Sequence, residues 1–141
     1  MTTTQTSAVH ALIDNAGTGW DAAWTLTHAA SHVAAMFAET LPFIDAIPLL
    51  LVSADLRAAE EHLEQAHRDL PLRPTTADVG PADVCRDAAP AHPAVQQLVR
   101  AALEPVRHLR SSDPTGVAAV NLARADALIC SARRQLLASQ P

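Results

Sequence analysis

The sequence LLLVSADLRAAEEHLEQAHRDL, residues 49–70, decides the fold of this chain. Its apolar residues recur at alternating steps of three and four, a spacing that places them along one face of a helix. Charged residues lie away from this face, so we predict that one side of the helix meets water and the other meets more helices. The apolar residues are Leu49, Val52, Leu56, Ala59, Leu63, Ala66 and Leu70, and the charged ones are Arg57, Glu61, Glu64 and Arg68.

The composition of the whole chain agrees with a helical protein. Alanine and leucine outnumber the β-branched residues, and there are only four glycines, which argues against strands. A chain of 141 residues has the size of one domain, and folding at this length buries roughly two thirds of the unfolded chain's surface. We therefore predict a single helical domain over residues 1–141.

The N-terminal half contains the signals for three helices. Residues 1–6 are polar and Thr-rich, and we expect them to be disordered. A short helix is predicted over 7–15 and a long one over about 19–40, capped by Thr18. Pro48 suits the first turn of the next helix, whose apolar face was described above.

The C-terminal half begins with a change in character. Residues 71–93 contain five prolines and one glycine, so we predict a long connection that either spans the bundle from end to end or forms a functional flap. A third long helix is predicted over 93–109, bent at Pro105. Asp113 is the expected cap of the fourth.

These segments together predict an all-α fold. Four amphipathic helices of this length most simply form an antiparallel four-helix bundle, here with a short N-terminal helix. The Pro-rich segment becomes a long crossover between helices 2 and 3 of that bundle.

The charge is distributed unevenly along the chain, whose formal net charge is −5. Residues 1–70 carry nine acidic residues and two arginines, whereas residues 71–141 carry six and eight. This asymmetry favours packing of the two halves against each other or against a second subunit, so a homodimer is a candidate assembly. Nucleic-acid binding is not predicted, because it needs a concentrated positive surface.

The sequence predicts a cytoplasmic protein without a membrane span. The longest apolar run covers residues 46–52, far below the ~18 residues that suggest a transmembrane helix. The start of the chain lacks the basic and apolar parts of a signal peptide. Cys85 and Cys130 stand alone in the sequence, and we expect both to be reduced thiols.

Neither a metal nor another cofactor is predicted. His28 and His32 have the spacing of zinc ligands, but the Glu that follows the first His in HExxH proteases is missing. Glu64 and His67 form a Glu-x-x-His unit, and a di-iron bundle needs two such units. The sequence contains only this one.

Candidate acid–base groups flank the apolar faces of two helices. Asp55 and His62 lie on one side of the second helix's apolar stripe, Glu60 and His67 lie on the other, and Asp126 borders the stripe of the fourth helix. Half-buried groups of this kind can have pKa values shifted toward neutrality and act as general acids or bases. The alternative is that they form ordinary ion pairs between helices.

Candidate binding residues lie on the first long helix. Trp20 and Trp24 sit at the border between its apolar and polar faces, where large apolar groups cover the core edge, line a pocket or anchor a partner. Met36 and Phe37 of the same helix complete the predicted binding set.

Two functions remain open from the sequence. The first is a non-catalytic binding or interaction protein whose ligand is a small apolar molecule or another helical protein. The alternative is a small cofactor-free enzyme, such as an isomerase, cyclase or hydrolase, with its acid–base groups around a pocket between helices. The first leads because no catalytic motif is specific.

Overall fold

The computed structural model describes residues 2–68 and 91–139, and every regular element in these ranges is a helix. The all-α prediction is therefore confirmed for the described part of the chain. Its helices are α1 (Thr2–Asn15), α2 (Gly19–Glu39), α3 (Phe43–Ala66), α4 (Ala91–Ser111) and α5 (Gly116–Ala138).

The four long helices pack side by side in a ring. Helix α2 contacts α3 and α4, and α5 contacts the same two helices from the other side. Helices α3 and α5 run antiparallel, since His62 of α3 meets Asn121 near the start of α5, whereas Asp55 meets Gln135 near its end. This arrangement is compatible with the predicted antiparallel four-helix bundle, to which the short helix α1 adds contacts with α2 and α4.

The core consists of the apolar faces that the spacing predicted. On α3, Leu49, Val52, Leu56, Ala59 and Leu63 are completely inaccessible to water, Ala66 is half-buried, and Leu70 lies outside the described residues. The matching faces of the other helices supply small and medium side chains, with many alanines that let the helices approach closely. Other fully buried large side chains include Val33, Val95, Leu98, Val99, Val106, Leu122, Ile129 and Leu136.

Several helix ends differ from the prediction. Helix α3 begins at Phe43, and Pro48 lies inside it, because the Ala46 amide already donates to the Pro42 carbonyl oxygen at 2.9 Å. Proline has a φ suited to a helix, but at this position it removes one amide donor and its ring crowds the carbonyl group four residues earlier. Thr115 is the N-cap of α5, whereas Asp113 has a left-handed φ of 66°.

Two further boundaries concern the chain's start and the N-terminus of α2. The backbone is helical from Thr2, earlier than the predicted start at Ser7. Thr18 occupies the predicted N-cap position of α2 with an extended backbone, but its side chain makes no capping hydrogen bond. The prediction of Thr18 as the N-cap residue is therefore confirmed, but the capping hydrogen bond from its side chain is absent.

The end of α3 and the start of α4 lie at opposite ends of the bundle. His67, just after α3, contacts Trp20 near the start of α2, whereas His92 of α4 bonds to Ser139 after the end of α5. The predicted Pro-rich crossover between them lies outside the described residues, except that its last three residues open α4. Cys85 falls in that undescribed stretch.

None of the helices in the described ranges combines the length and apolar character that crossing a bilayer requires.

Candidate functional site

Aromatic and imidazole side chains form a continuous strip where α2 packs against α3. On α2 they recur every fourth residue, so they line one edge of the helix. On α3 two carboxylates and one imidazole face them. The strip consists of Trp20, Trp24, His28 and His32 of α2 with Glu60, Glu64 and His67 from α3 and the residue that follows it.

The middle of the strip is held by two hydrogen bonds to carboxylates. The Trp24 indole Nε1 donates to Glu64 Oε1 at 3.0 Å, and His28 Nδ1 lies 2.6 Å from Glu60 Oε1. The rings of Trp24 and His28 stack with centroids 4.7 Å apart and an angle of 11°. Both carboxylates therefore have partners inside the chain, and the tryptophan covers the edge of the core.

The two ends of the strip are less fully bonded. At one end the ring of His67 lies 5.3 Å from that of Trp20, and His67 Nδ1 is buried without a hydrogen-bond partner within the described part of the chain. At the other end His32 lies 4.2 Å, ring to ring, from His28. Partial burial lowers the pKa of His32 below its ordinary value of 6.5, and the neighbouring His28 lowers it further. The Glu60 carboxylate opposes this shift.

The interface between α3 and α5 holds the second group of predicted catalytic residues. Asp55 Oδ2 accepts hydrogen bonds from Gln135 Nε2 at 2.6 Å and from Ser131 Oγ at 2.9 Å. His62 Nδ1 lies 2.8 Å from the Asn121 side-chain oxygen, which can only accept, so Nδ1 is the donor. These bonds fasten α3 to α5 at two levels.

Asp126 lies at a third interface, between α4 and α5. It is buried, and its Oδ2 accepts a hydrogen bond from Arg110 Nη1 at 2.7 Å. The thiol of Cys130 donates to Oδ1 at 3.3 Å, and the Arg107 guanidinium is 3.9 Å away. The aspartate is the centre of a small polar cluster that ties the two helices together.

The structure thus distributes the five predicted catalytic residues over three interfaces. Glu60 and His67 face α2, Asp55 and His62 face α5, and Asp126 faces α4. They do not converge on one cavity, because groups on opposite flanks of α3 point to different neighbouring helices.

The predicted binding residues are also separated. Trp20 and Trp24 lie near the start of α2, whereas Met36 and Phe37 lie near its end, about 18 Å further along the helix axis. Phe37 is buried in the core, and the other three are half-buried. Across the described residues no group of three His, Cys, Asp or Glu side chains is placed to hold a metal ion.

Sequence reasoning missed a cavity between the α1–α2 turn and the second half of α4. Its volume is about 350 Å³. The sequence signals were present but separate: Gly17 and Gly19 lie at the boundary between two helices, and Pro105 lies inside a third. The cavity is lined by Ile13, Gly17, Thr18, Gly19, Ala22, Leu26, Ala101, Glu104, Pro105 and His108.

Sequence reasoning also missed an exposed apolar surface on the first half of α3. It consists of Phe43, Ile44, Ile47, Leu50 and Leu51, which we call the α3 stripe, and these side chains are between 38% and 79% exposed. The signal was the dense apolar run before Val52, which contains more large side chains than one buried helix face can accept.

Comparison with protein-family models, with curated proteins and with solved structures finds no match to this chain.

Proposed function

We propose that this protein is a non-catalytic interaction module whose α3 stripe binds the α3 stripe of a second copy. The observation that carries this proposal is the contiguous exposure of five large apolar side chains on one helix. Monomeric proteins rarely leave such a patch uncovered, and patches of this kind mark interaction sites. The class of function is the one predicted from the sequence, but the proposed contact surface is the α3 stripe instead of Trp20 and Trp24.

The area of the stripe is sufficient for a modest dimer. Five large apolar side chains, each exposed by 38–79%, present on the order of 500 Å² of surface. A symmetric pair would then bury about 1,000 Å² in total, the lower bound expected for a specific interface. Arg57 and Glu61, further along the outer side of α3, are exposed and supply a polar border.

The order of residues along the stripe is complementary to itself. A twofold pairing of antiparallel α3 helices, centred between Leu50 and Leu51, places Ile47 of one copy opposite Ala54 of the other. The same register places Phe43 opposite Ala58. At these two positions large side chains meet small ones, the alternation that lets helices interdigitate, while Ile44 lies opposite Arg57, whose aliphatic stem can pack against it.

The arrangement of the polar groups favours binding over catalysis. An acid–base enzyme needs its groups within reach of one substrate. Here Asp55 and His62 bond to side chains of α5, Glu60 bonds to a side chain of α2, and Asp126 bonds to a side chain of α4, so the four groups lie at three interfaces. Such bonds fit a scaffold that holds its helices in register.

The experiment is analytical ultracentrifugation across a range of protein concentrations. We expect a wild-type dimer, and a Leu51→Glu variant that is monomeric with unchanged helix content by circular dichroism. Val120→Glu is the matched control, because Val120 is an apolar residue exposed to a similar extent on α5. We expect this control to remain dimeric. A wild-type protein that stays monomeric at several hundred micromolar, or equal loss of the dimer in both variants, would overturn the proposal.

A further inference from the structure

We infer that the cavity between the α1–α2 turn and α4 binds a small apolar molecule that carries a protonated amine. This site lies apart from the α3 stripe, on residues of α1, α2 and α4, so it does not depend on the proposed pairing of two copies. The ligand would be a second kind of partner, and the residues that line the cavity indicate its chemistry.

The walls of the cavity are largely apolar. Side chains from three helices contribute, with Ile13 from α1, Ala22 and Leu26 from α2, and Ala101 and Pro105 from α4. A volume of about 350 Å³ lies at the lower end of the range for small-molecule pockets and holds on the order of ten non-hydrogen atoms. The ligand body is therefore about the size of one substituted ring.

The residues of α4 that line the cavity carry two hydrogen-bond acceptors. Pro105 has no amide hydrogen, so the Ala101 carbonyl oxygen does not receive the helical hydrogen bond from four residues ahead. Ala101 and Pro105 both line the cavity. One position before the proline, Glu104 adds the only carboxylate among the lining residues. A carbonyl and a carboxylate at one wall fit an ammonium group, which donates three hydrogen bonds.

The turn between α1 and α2 keeps the facing side open. Gly17 and Gly19 have φ values of 82° and 64°, which an L side chain adopts only with strain, and no atom lies within 4 Å of where a Cβ would be. The backbone therefore borders the cavity without filling it. His108, one helical turn after Glu104, lines the same wall.

The choice of a cation over an anion follows from the charges around the cavity. The chain has a net charge of −5, and Asp21 occupies the first turn of α2, where a bound anion would otherwise interact with the helix dipole. Glu104 repels an anion from the opposite wall. Both carboxylates therefore disfavour an anionic head group and favour a protonated amine.

The test compares two probes of equal size by NMR titration of the full chain. The probes are 2-phenylethylamine, which is protonated at neutral pH, and 2-phenylethanol, which is not. We expect saturable shifts of the Gly17, Gly19 and Ala101 amides with both probes. The amine should bind about three- to tenfold more tightly, because the charged pair lies in a partly exposed position.

The Glu104→Gln variant isolates the carboxylate. We expect it to bind both probes with similar affinity, whereas the control Glu61→Gln, on the exposed side of α3, should keep the preference for the amine. Glu104 is exposed, so the substitution leaves the packing of the core in place. Absence of saturable shifts at the lining amides, or a preference that survives Glu104→Gln, would overturn the inference.

Discussion

His28 Nδ1 lies 2.6 Å from Glu60 Oε1, so a half-buried imidazole and carboxylate join α2 to α3 across 32 positions of sequence. We predict that Glu60→Gln lowers the free energy of unfolding by about 1 kcal/mol, because a neutral amide replaces a charged acceptor. Urea denaturation measures the change. Glu61→Gln is the control, since Glu61 is exposed, and it should have little effect. Equal losses in the two variants would contradict a specific bond.

The second prediction concerns pH. Because burial and His28 hold the pKa of His32 below 6.5, the folded state binds fewer protons than the unfolded state just below that pH. The contribution of His32 to stability is therefore complete above about pH 6.5 and is lost as the pH falls toward the lowered pKa. We expect the unfolding free energy of the His32→Asn variant to change less with pH in this window than that of the wild type.

NMR titration of the His32 ring protons checks the same prediction directly. The midpoint should lie below 6.5 in the wild type and lower still in Glu60→Gln, because the glutamate raises the pKa of His32. A midpoint at or above 6.5 in the wild type would show that the ring is not desolvated by its place in the strip.

The core faces could be predicted from the sequence because they depend on each helix alone. Leu49, Leu56 and Leu63 follow the helical period, and all are fully buried. The rotation and level of a neighbouring helix are not contained in that period. The helical period places His28 on the side of α2 away from Leu26 and Ala30, yet His28 meets Glu60 of α3.

The sites were harder to predict for the same reason. Leu50 and Leu51 interrupt the regular spacing of α3, but whether another element covers them is a property of the assembled bundle. Pro105 indicated a bend in α4, while Gly17 and Gly19 indicated a helix boundary. The helix boundary at Gly17 and Gly19 is confirmed, and the meeting of these residues with Pro105 around one cavity required the tertiary structure.

The third prediction tests the role of Asp126. Its carboxylate is buried and bonded to Arg110, so Asp126→Asn should lower the free energy of unfolding by about 1 kcal/mol or somewhat more. The control is Asp113→Asn, an exposed position whose positive φ asparagine tolerates. In a double-mutant cycle with Arg110→Gln, the two losses should be less than additive. Additive losses would mean that the 2.7 Å bond contributes little.

The fourth prediction separates the two sides of α3, because Leu56 is completely buried and Leu51, five residues earlier, is 53% exposed. Leu56→Ala should cost about 2–5 kcal/mol in urea denaturation, since it leaves a cavity among packed side chains. Leu51→Ala should change unfolding at low micromolar concentration by under about 0.5 kcal/mol, as expected for a surface position. In ultracentrifugation we expect the opposite order, with Leu51→Ala as the variant that weakens self-association. If Leu51→Ala destabilises the monomer as much as Leu56→Ala, the outer side of α3 is covered by the chain itself and is not a docking surface.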